Sequence, residues 1–109
     1  VLNATYISIT SYAGNDTRVV IPDTIAGYIV QTIGASAFSN NTQLQSVILP
    51  AHLEELGSSA FYGCTALSYV GFDDALTTIG SSAFYGCTAL TRVDSPNSVT
   101  EIKNHAFHI

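Results

Sequence analysis

Gly57-Ser-Ser-Ala-Phe-Tyr-Gly-Cys-Thr-Ala-Leu67 recurs without change as Gly80-Ser-Ser-Ala-Phe-Tyr-Gly-Cys-Thr-Ala-Leu90, at an offset of 23 in the numbering. Self-similarity at a fixed period of this length is the mark of a repeat architecture. Laid along the chain, the same ruler puts Phe38, Phe61, Phe84 and Phe107 in one column and Ala37, Ala60, Ala83 and Ala106 in the one before it. A third column holds Ile33, Leu56, Ile79 and Ile102, and others hold Leu44, Leu67 and Leu90, or Val47, Val70 and Val93. Leu53, Leu76 and Val99 complete the apolar set.

One such rung could not stand alone. It would bury about six side chains worth roughly 1.5 to 3 kcal/mol each, against a backbone entropy cost of roughly 1 to 2 kcal/mol for every ordered residue. Stacking removes the deficit, because each rung covers its neighbour's apolar face and offers it ladder hydrogen bonds. The sequence therefore predicts one solenoid domain, mostly β, over residues 1–109. Within a rung, Leu44-Gln-Ser-Val-Ile-Leu49 and Leu67-Ser-Tyr-Val-Gly-Phe72 carry apolar residues at relative positions 1, 4 and 6, as a short strand does. Pro50 and Pro96 follow their strands as terminators. The Gly-Ser-Ser-Ala-Phe stretch places hydroxyls ahead of an Ala-Phe pair and predicts a single helical or 3-10 turn, ended by Gly63 or Gly86.

The pattern Ile-Gly-x-x-Ala-Phe-x-x-Cys-x-x-Leu-x-x-Val, at Ile79 to Val93 and as Leu56 to Val70, resembles the BspA-like leucine-rich repeats, also called the Treponema pallidum type. The resemblance runs from about residue 18 to residue 109. It implies a right-handed leucine-rich repeat solenoid. It further implies secreted or surface-displayed proteins that act in adhesion and protein recognition. The chain departs from the pattern where Asn41 replaces Cys, Asp73 replaces Pro, Ser95 replaces the last apolar strand residue and Lys103 replaces Gly. Val19-Val-Ile-Pro22 leads into a first repeat in which Pro22 to Ile33 is five residues longer than Pro50 to Leu56. Residues 1–30 are expected to form an N-terminal cap and the entry to that repeat, with Thr5 to Pro22 a β-hairpin turning at Gly14-Asn-Asp16. Residues 31–109 would be the 23-residue repeats, the last one incomplete.

Composition narrows the function. Three cations, Arg18, Arg92 and Lys103, face eight carboxylates for a formal charge of -5, which repels a phosphate backbone and argues against nucleic acid. No apolar run reaches the roughly 20 residues of a membrane span, and no basic segment precedes an apolar one at Val1. A start at Val1 without Met is expected of a processed chain or an excerpt from a longer one. The abrupt end at Ile109 leaves the last rung without a polar cap and points to further repeats or a covering chain.

Catalytic and metal chemistry find little support. Cys64 and Cys87 share a column, where a rung spacing of about 4.8 Å is within disulfide range. Parallel side chains in an apolar column equally suit buried free thiols, and the thiol reading is preferred. His52, His105 and His108 fall in different columns, and the paired serines lack a base and a nucleophile elbow. Asp73, Asp74 and Asp94 are the one carboxylate cluster that could hold calcium, but six or more oxygen ligands are needed. No catalytic residue, cofactor or metal is expected.

Binding surfaces are the better candidates. Strand positions between the apolar ones must face outward on the presumed concave sheet, and they stack as Ser46, Tyr69, Arg92, then Ile48, Gly71, Asp94, then Pro50, Asp73, Pro96. Tyr and Arg are enriched where proteins recognise one another. A further stripe of Ser39, Tyr62, Tyr85 and His108 lies on the turn side, where the plainer expectation is mutual ring packing. Asn3, Asn15 and Asn40 begin Asn-x-Ser/Thr sequons, which matter only for a eukaryotic source. The expected role is a non-catalytic extracellular or cell-surface module for recognition or adhesion, with a protein or glycan partner. The alternative is a structural spacer or assembly module of a larger secreted protein or enzyme complex.

Overall fold

A computed structural model describes residues 6–91 and 98–107. The strands among them are β1 (Tyr6–Ile9), β2 (Arg18–Val20), β3 (Thr24–Ile25), β4 (Tyr28–Ile33), β5 (Ser46–Ile48), β6 (Glu55–Leu56), β7 (Tyr69–Gly71), β8 (Thr78–Ile79) and β9 (Glu101–Ile102). They form two sheets, one ordered β1-β4-β6-β8-β9 with β3 attached to β4, the other β2-β5-β7. Every inter-rung pairing is parallel, and Thr32↔Glu55↔Thr78↔Glu101 and Ile33↔Leu56↔Ile79↔Ile102 keep the constant offset of the repeat. The chain is thus a β-solenoid in which each turn runs from one sheet, round a wall of turns, into the other.

The core is the column set read from the repeat. Phe38, Phe61 and Phe84 are buried in the middle of it, flanked by Ala37, Ala60 and Ala83, by Ile33, Leu56 and Ile79, and by Leu44, Leu67 and Leu90. Their rings stack, Phe38 on Phe61 at 4.9 Å, Phe61 on Phe84 at 5.3 Å and Phe84 on Phe107 at 5.2 Å. Close approach of the inner rungs requires glycine at Gly57 and Gly80: a Cβ on Gly80 would stand 2.7 Å from backbone atoms of Leu56, Gly57 and Ser58.

Two local expectations change. The stretch expected to form a helical or 3-10 turn forms a run of β-turns instead, and no helix occurs among the described residues. The N–H groups of Ala60, Tyr62 and Cys64 reach back to the carbonyls of Gly57, Ser59 and Phe61, while those of Ser59, Phe61 and Gly63 donate to Ser81, Ala83 and Tyr85 of the next rung. A helical turn aims all its donors along its own axis. This alternation spends half of them on the neighbour, and it needs the left-handed φ of 59° at Ser59 and 72° at Gly63 that the third position of a type II turn requires.

The second correction concerns the N-terminus. β1 and β2 do not pair with each other as a hairpin; β1 lies parallel to β4 and β2 parallel to β5. Residues 6–20 are therefore a full rung, and Tyr12 takes the Phe position in it, stacked on Phe38 at 5.0 Å. The expected hairpin exists elsewhere: β3 and β4 pair antiparallel around Ala26-Gly27, both at positive φ as a type I′ turn demands. It accounts for the five inserted residues.

Candidate functional site

The outward register columns of the two sheets differ in chemistry, although Tyr6, Ile25, Tyr28 and Ile102 at the ends of the first sheet are also exposed. On the β4-β6-β8-β9 side, the register column Thr32, Glu55, Thr78, Glu101 presents hydroxyls and carboxylates, and Gln31 donates to Glu54 at 3.0 Å beside it. On β2-β5-β7, the inward column Val19, Val47, Val70 is flanked by the outward columns Arg18, Ser46, Tyr69 and Val20, Ile48, Gly71. Three of these outward side chains are large and apolar, with Val20 71% exposed, Tyr69 56% and Ile48 39%.

Strand alternation puts these residues outward because Val47 and Val70 must face the core. Gly71 then shapes the patch. A Cβ there would lie 2.8 Å from Ile48 Cδ1 and 3.5 Å from the Tyr69 ring, so Ile48 and Tyr69 close over the bare backbone. The surface is an apolar patch with Arg18 on its edge strand, in register with Ser46 and Tyr69. Among the described residues nothing in it pairs a nucleophile with a base; its chemistry is burial plus a planar cation, which suits a protein surface.

Ser46 with Tyr69, and Ile48 with Gly71, are in register as the sequence columns place them. Arg92 and Asp94 lie outside the described residues. Asp73 is exposed, and its Oδ1 accepts the N–H of Asp74 at 2.7 Å in a turn. Tyr62 and Tyr85 are on the turn wall, away from this face, with rings stacked at 5.2 Å and 6°. Arg18 and Val20 are the members that sequence reasoning missed. Val20 pairs with Ile48 at an offset of 28, wider than the repeat, and only the apolar Val19-Val20-Ile21 run could have signalled it.

Val20 also joins the patch to a groove of about 470 Å³ at the exposed side of the first rung, lined by Ile7, Ile9, Tyr12, Val19 and Ile25 among others. Cys64 and Cys87 are buried thiols that donate to the carbonyls of Phe38 and Phe61, 3.1 Å each. The Cys87 thiol is pushed well above the ordinary thiol range, first by its hydrogen bond to Cys64 and then by burial. Among the described residues no three His, Cys, Asp or Glu side chains converge on a metal position, and no helix is long and apolar enough to cross a membrane.

A stack of parallel rungs at constant spacing around an internal Phe column defines a leucine-rich repeat solenoid. The sequence matches the BspA type leucine rich repeat region in six copies over residues 5–109, and the chain belongs to that family. Solved structures agree. The T. pallidum leucine rich repeat protein superposes with a TM-score of 0.76 at 32% identity, over 94% of this chain and 59% of its own. A leucine rich cell surface protein of Faecalibacterium prausnitzii gives 0.84 at 38%, over 99% and 31%, and a leucine-rich repeat protein of Bacteroides capillosus 0.83 at 30%, over 89% and 75%. The chain thus spans less than two thirds of the first two of these proteins. No curated protein matches it.

Proposed function

We propose that this chain is a non-catalytic recognition module that binds a protein partner through the β2-β5-β7 face, at the cell surface or outside the cell. Membership of a leucine-rich repeat family supports a module for protein interaction, and the surface location is supported by the F. prausnitzii cell surface protein it resembles. One observation carries the choice of face: Val20, Ile48 and Tyr69 are exposed in adjacent, in-register columns, whereas the column Thr32, Glu55, Thr78, Glu101 of the other sheet is polar and that sheet's exposed apolar side chains, Tyr6, Ile25, Tyr28 and Ile102, lie at its two ends. A tyrosine beside an arginine is the composition of an interface centre, and Val20 and Ile48 add apolar area around it. We read this recognition as serving adhesion.

The alternative, a spacer or assembly module, draws on the apolar groove beside β1 and β2, where strand edges invite pairing. One experiment separates the two. Binding to a panel of immobilised matrix proteins should fall at least about tenfold in Tyr69→Ala and in Arg18→Ala, the loss of one interface anchor, with an unchanged thermal midpoint. Undiminished binding in both variants rejects this face, and mass that rises with concentration in sedimentation, abolished by Val20→Asp, replaces it with assembly.

A further inference from the structure

A different place on the molecule has the chemistry of a small-ligand site. Along the turn wall the first rung is short: Ile9 to Val19 takes ten steps where its paired neighbour, Ile33 to Val47, takes fourteen. The shortfall leaves the second rung's wall uncovered, and a groove of about 360 Å³ opens there between Tyr12 and Asn15 on one side and Ser39 to Gln43 on the other. Small-molecule sites begin at about 300 Å³.

The hydrogen-bond ladder is interrupted at the same point. The carbonyls of Tyr62 and Tyr85 accept the N–H groups of Asn40 and Gly63 from the rung before, at 2.6 and 2.8 Å. Ser39 occupies the same column one rung earlier, and no backbone N–H among the described residues reaches its carbonyl. Beside it, Asn41 Oδ1 accepts the N–H groups of Gln43 and Leu44, 3.1 Å each, which fixes its amide and leaves the NH₂ as a held donor. Asn15 and Gln43 are exposed amides on either side. The Tyr12 hydroxyl, donating to Asp16 at 2.9 Å, holds the phenol edge at the rim.

We propose that this step binds the ring of a neutral sugar. The groove has no Lys, Arg, Asp or Glu in its lining, so it supplies no charge to favour a phosphate, an acidic sugar or a cation over a neutral ligand. Its surface is predominantly polar, which disfavours an apolar side chain. A sugar hydroxyl both donates and accepts; it can give its hydrogen to the Ser39 carbonyl and take one from the Asn41 amide, and neighbouring hydroxyls can do the same with Asn15 and Gln43. The site is independent of the protein-binding reading of the β2-β5-β7 face, and the two can fail separately.

The test is titration of the ¹⁵N-labelled chain with methyl glucoside, methyl galactoside, methyl mannoside and N-acetylglucosamine, with glycerol and glucuronate as controls. The expected result is saturable movement of the Asn15 and Ser39 to Gln43 amide signals with at least one neutral sugar. The double variant Asn15→Ala/Gln43→Ala should bind that sugar about tenfold more weakly, the loss of one or two hydrogen bonds, with the thermal midpoint unchanged. The proposal is overturned if no sugar moves these signals, if glycerol or glucuronate moves them equally, if the movement falls on Ile48 and Tyr69 instead, or if the double variant binds as well as the parent.

Discussion

Two aromatic ladders climb this solenoid, one inside and one outside, and their geometry is nearly the same. Phe61 and Phe84 stack at 5.3 Å and 1°, Tyr62 and Tyr85 at 5.2 Å and 6°. Their surroundings are not the same, since Phe61 is fully buried and Tyr62 is 39% exposed. Both stacks are imposed by the parallel ladder, which repeats any side chain at about the 4.8 Å strand spacing. Ring geometry is therefore a product of the backbone, and burial decides what the ring is worth. Phe61→Ala should accordingly cost about 3 to 5 kcal/mol, because it empties the centre of a spine that runs from Tyr12 to Phe107. Urea unfolding with an unchanged m-value measures it; a loss under about 1 kcal/mol, the worth of a ring pair without its burial, would mean that the ladders are equivalent after all.

The buried thiols sharpen the same contrast between inside and outside. Cys87 lies in the core with its proton held toward the Phe61 carbonyl and its ionisation pushed up by Cys64 and by burial. Only thiolate reacts with iodoacetamide. Raising the pH to about 9, where an ordinary thiol is substantially ionised, should leave native Cys87 protonated. Its alkylation should stay at least about 100-fold slower than in the unfolded chain, since reaction waits for local opening. Peptide mass mapping of a time course reads the rate at each cysteine, and fast native labelling of Cys87 would place it outside the closed core.

How much of this was legible follows from where the ruler of 23 holds. Ile33, Leu56, Ile79 and Ile102 are equally spaced, so the core, the register of Ser46 with Tyr69, and the Phe column can be read by counting. The first rung cannot. Ile9 meets Ile33 at an offset of 24 and Val19 meets Val47 at an offset of 28, because a shortened wall and the β3-β4 hairpin shift the count in different places. That drift hides Tyr12, Arg18 and Val20, and Gly14-Asn-Asp16 gives the segment the look of a capping hairpin. The turn wall departs from expectation for another reason. A serine before Ala-Phe signals a helix cap in isolation, and only the neighbouring rung's carbonyls draw Ser59 and Ser82 into left-handed backbone. Local preference gives way to a contact with the next rung.

The outer ladder then gives the finest measure. Tyr62→Ala removes a stacked partner from Tyr85 but opens no cavity, so its cost should stay below about 1 kcal/mol, the worth of a ring pair beyond burial. A double-mutant cycle with Tyr85→Ala isolates that pair energy from the rest. The sequence makes Tyr62 and Tyr85 candidates for partner binding as well as for mutual packing, and the stack alone fits both. If Tyr62→Ala leaves both stability and partner binding nearly unchanged, the exposed stack is a by-product of the repeat. If it leaves stability unchanged and abolishes binding of a partner that Tyr69→Ala does not touch, the rings were kept in place for that partner, and the recognition surface belongs on the turn wall.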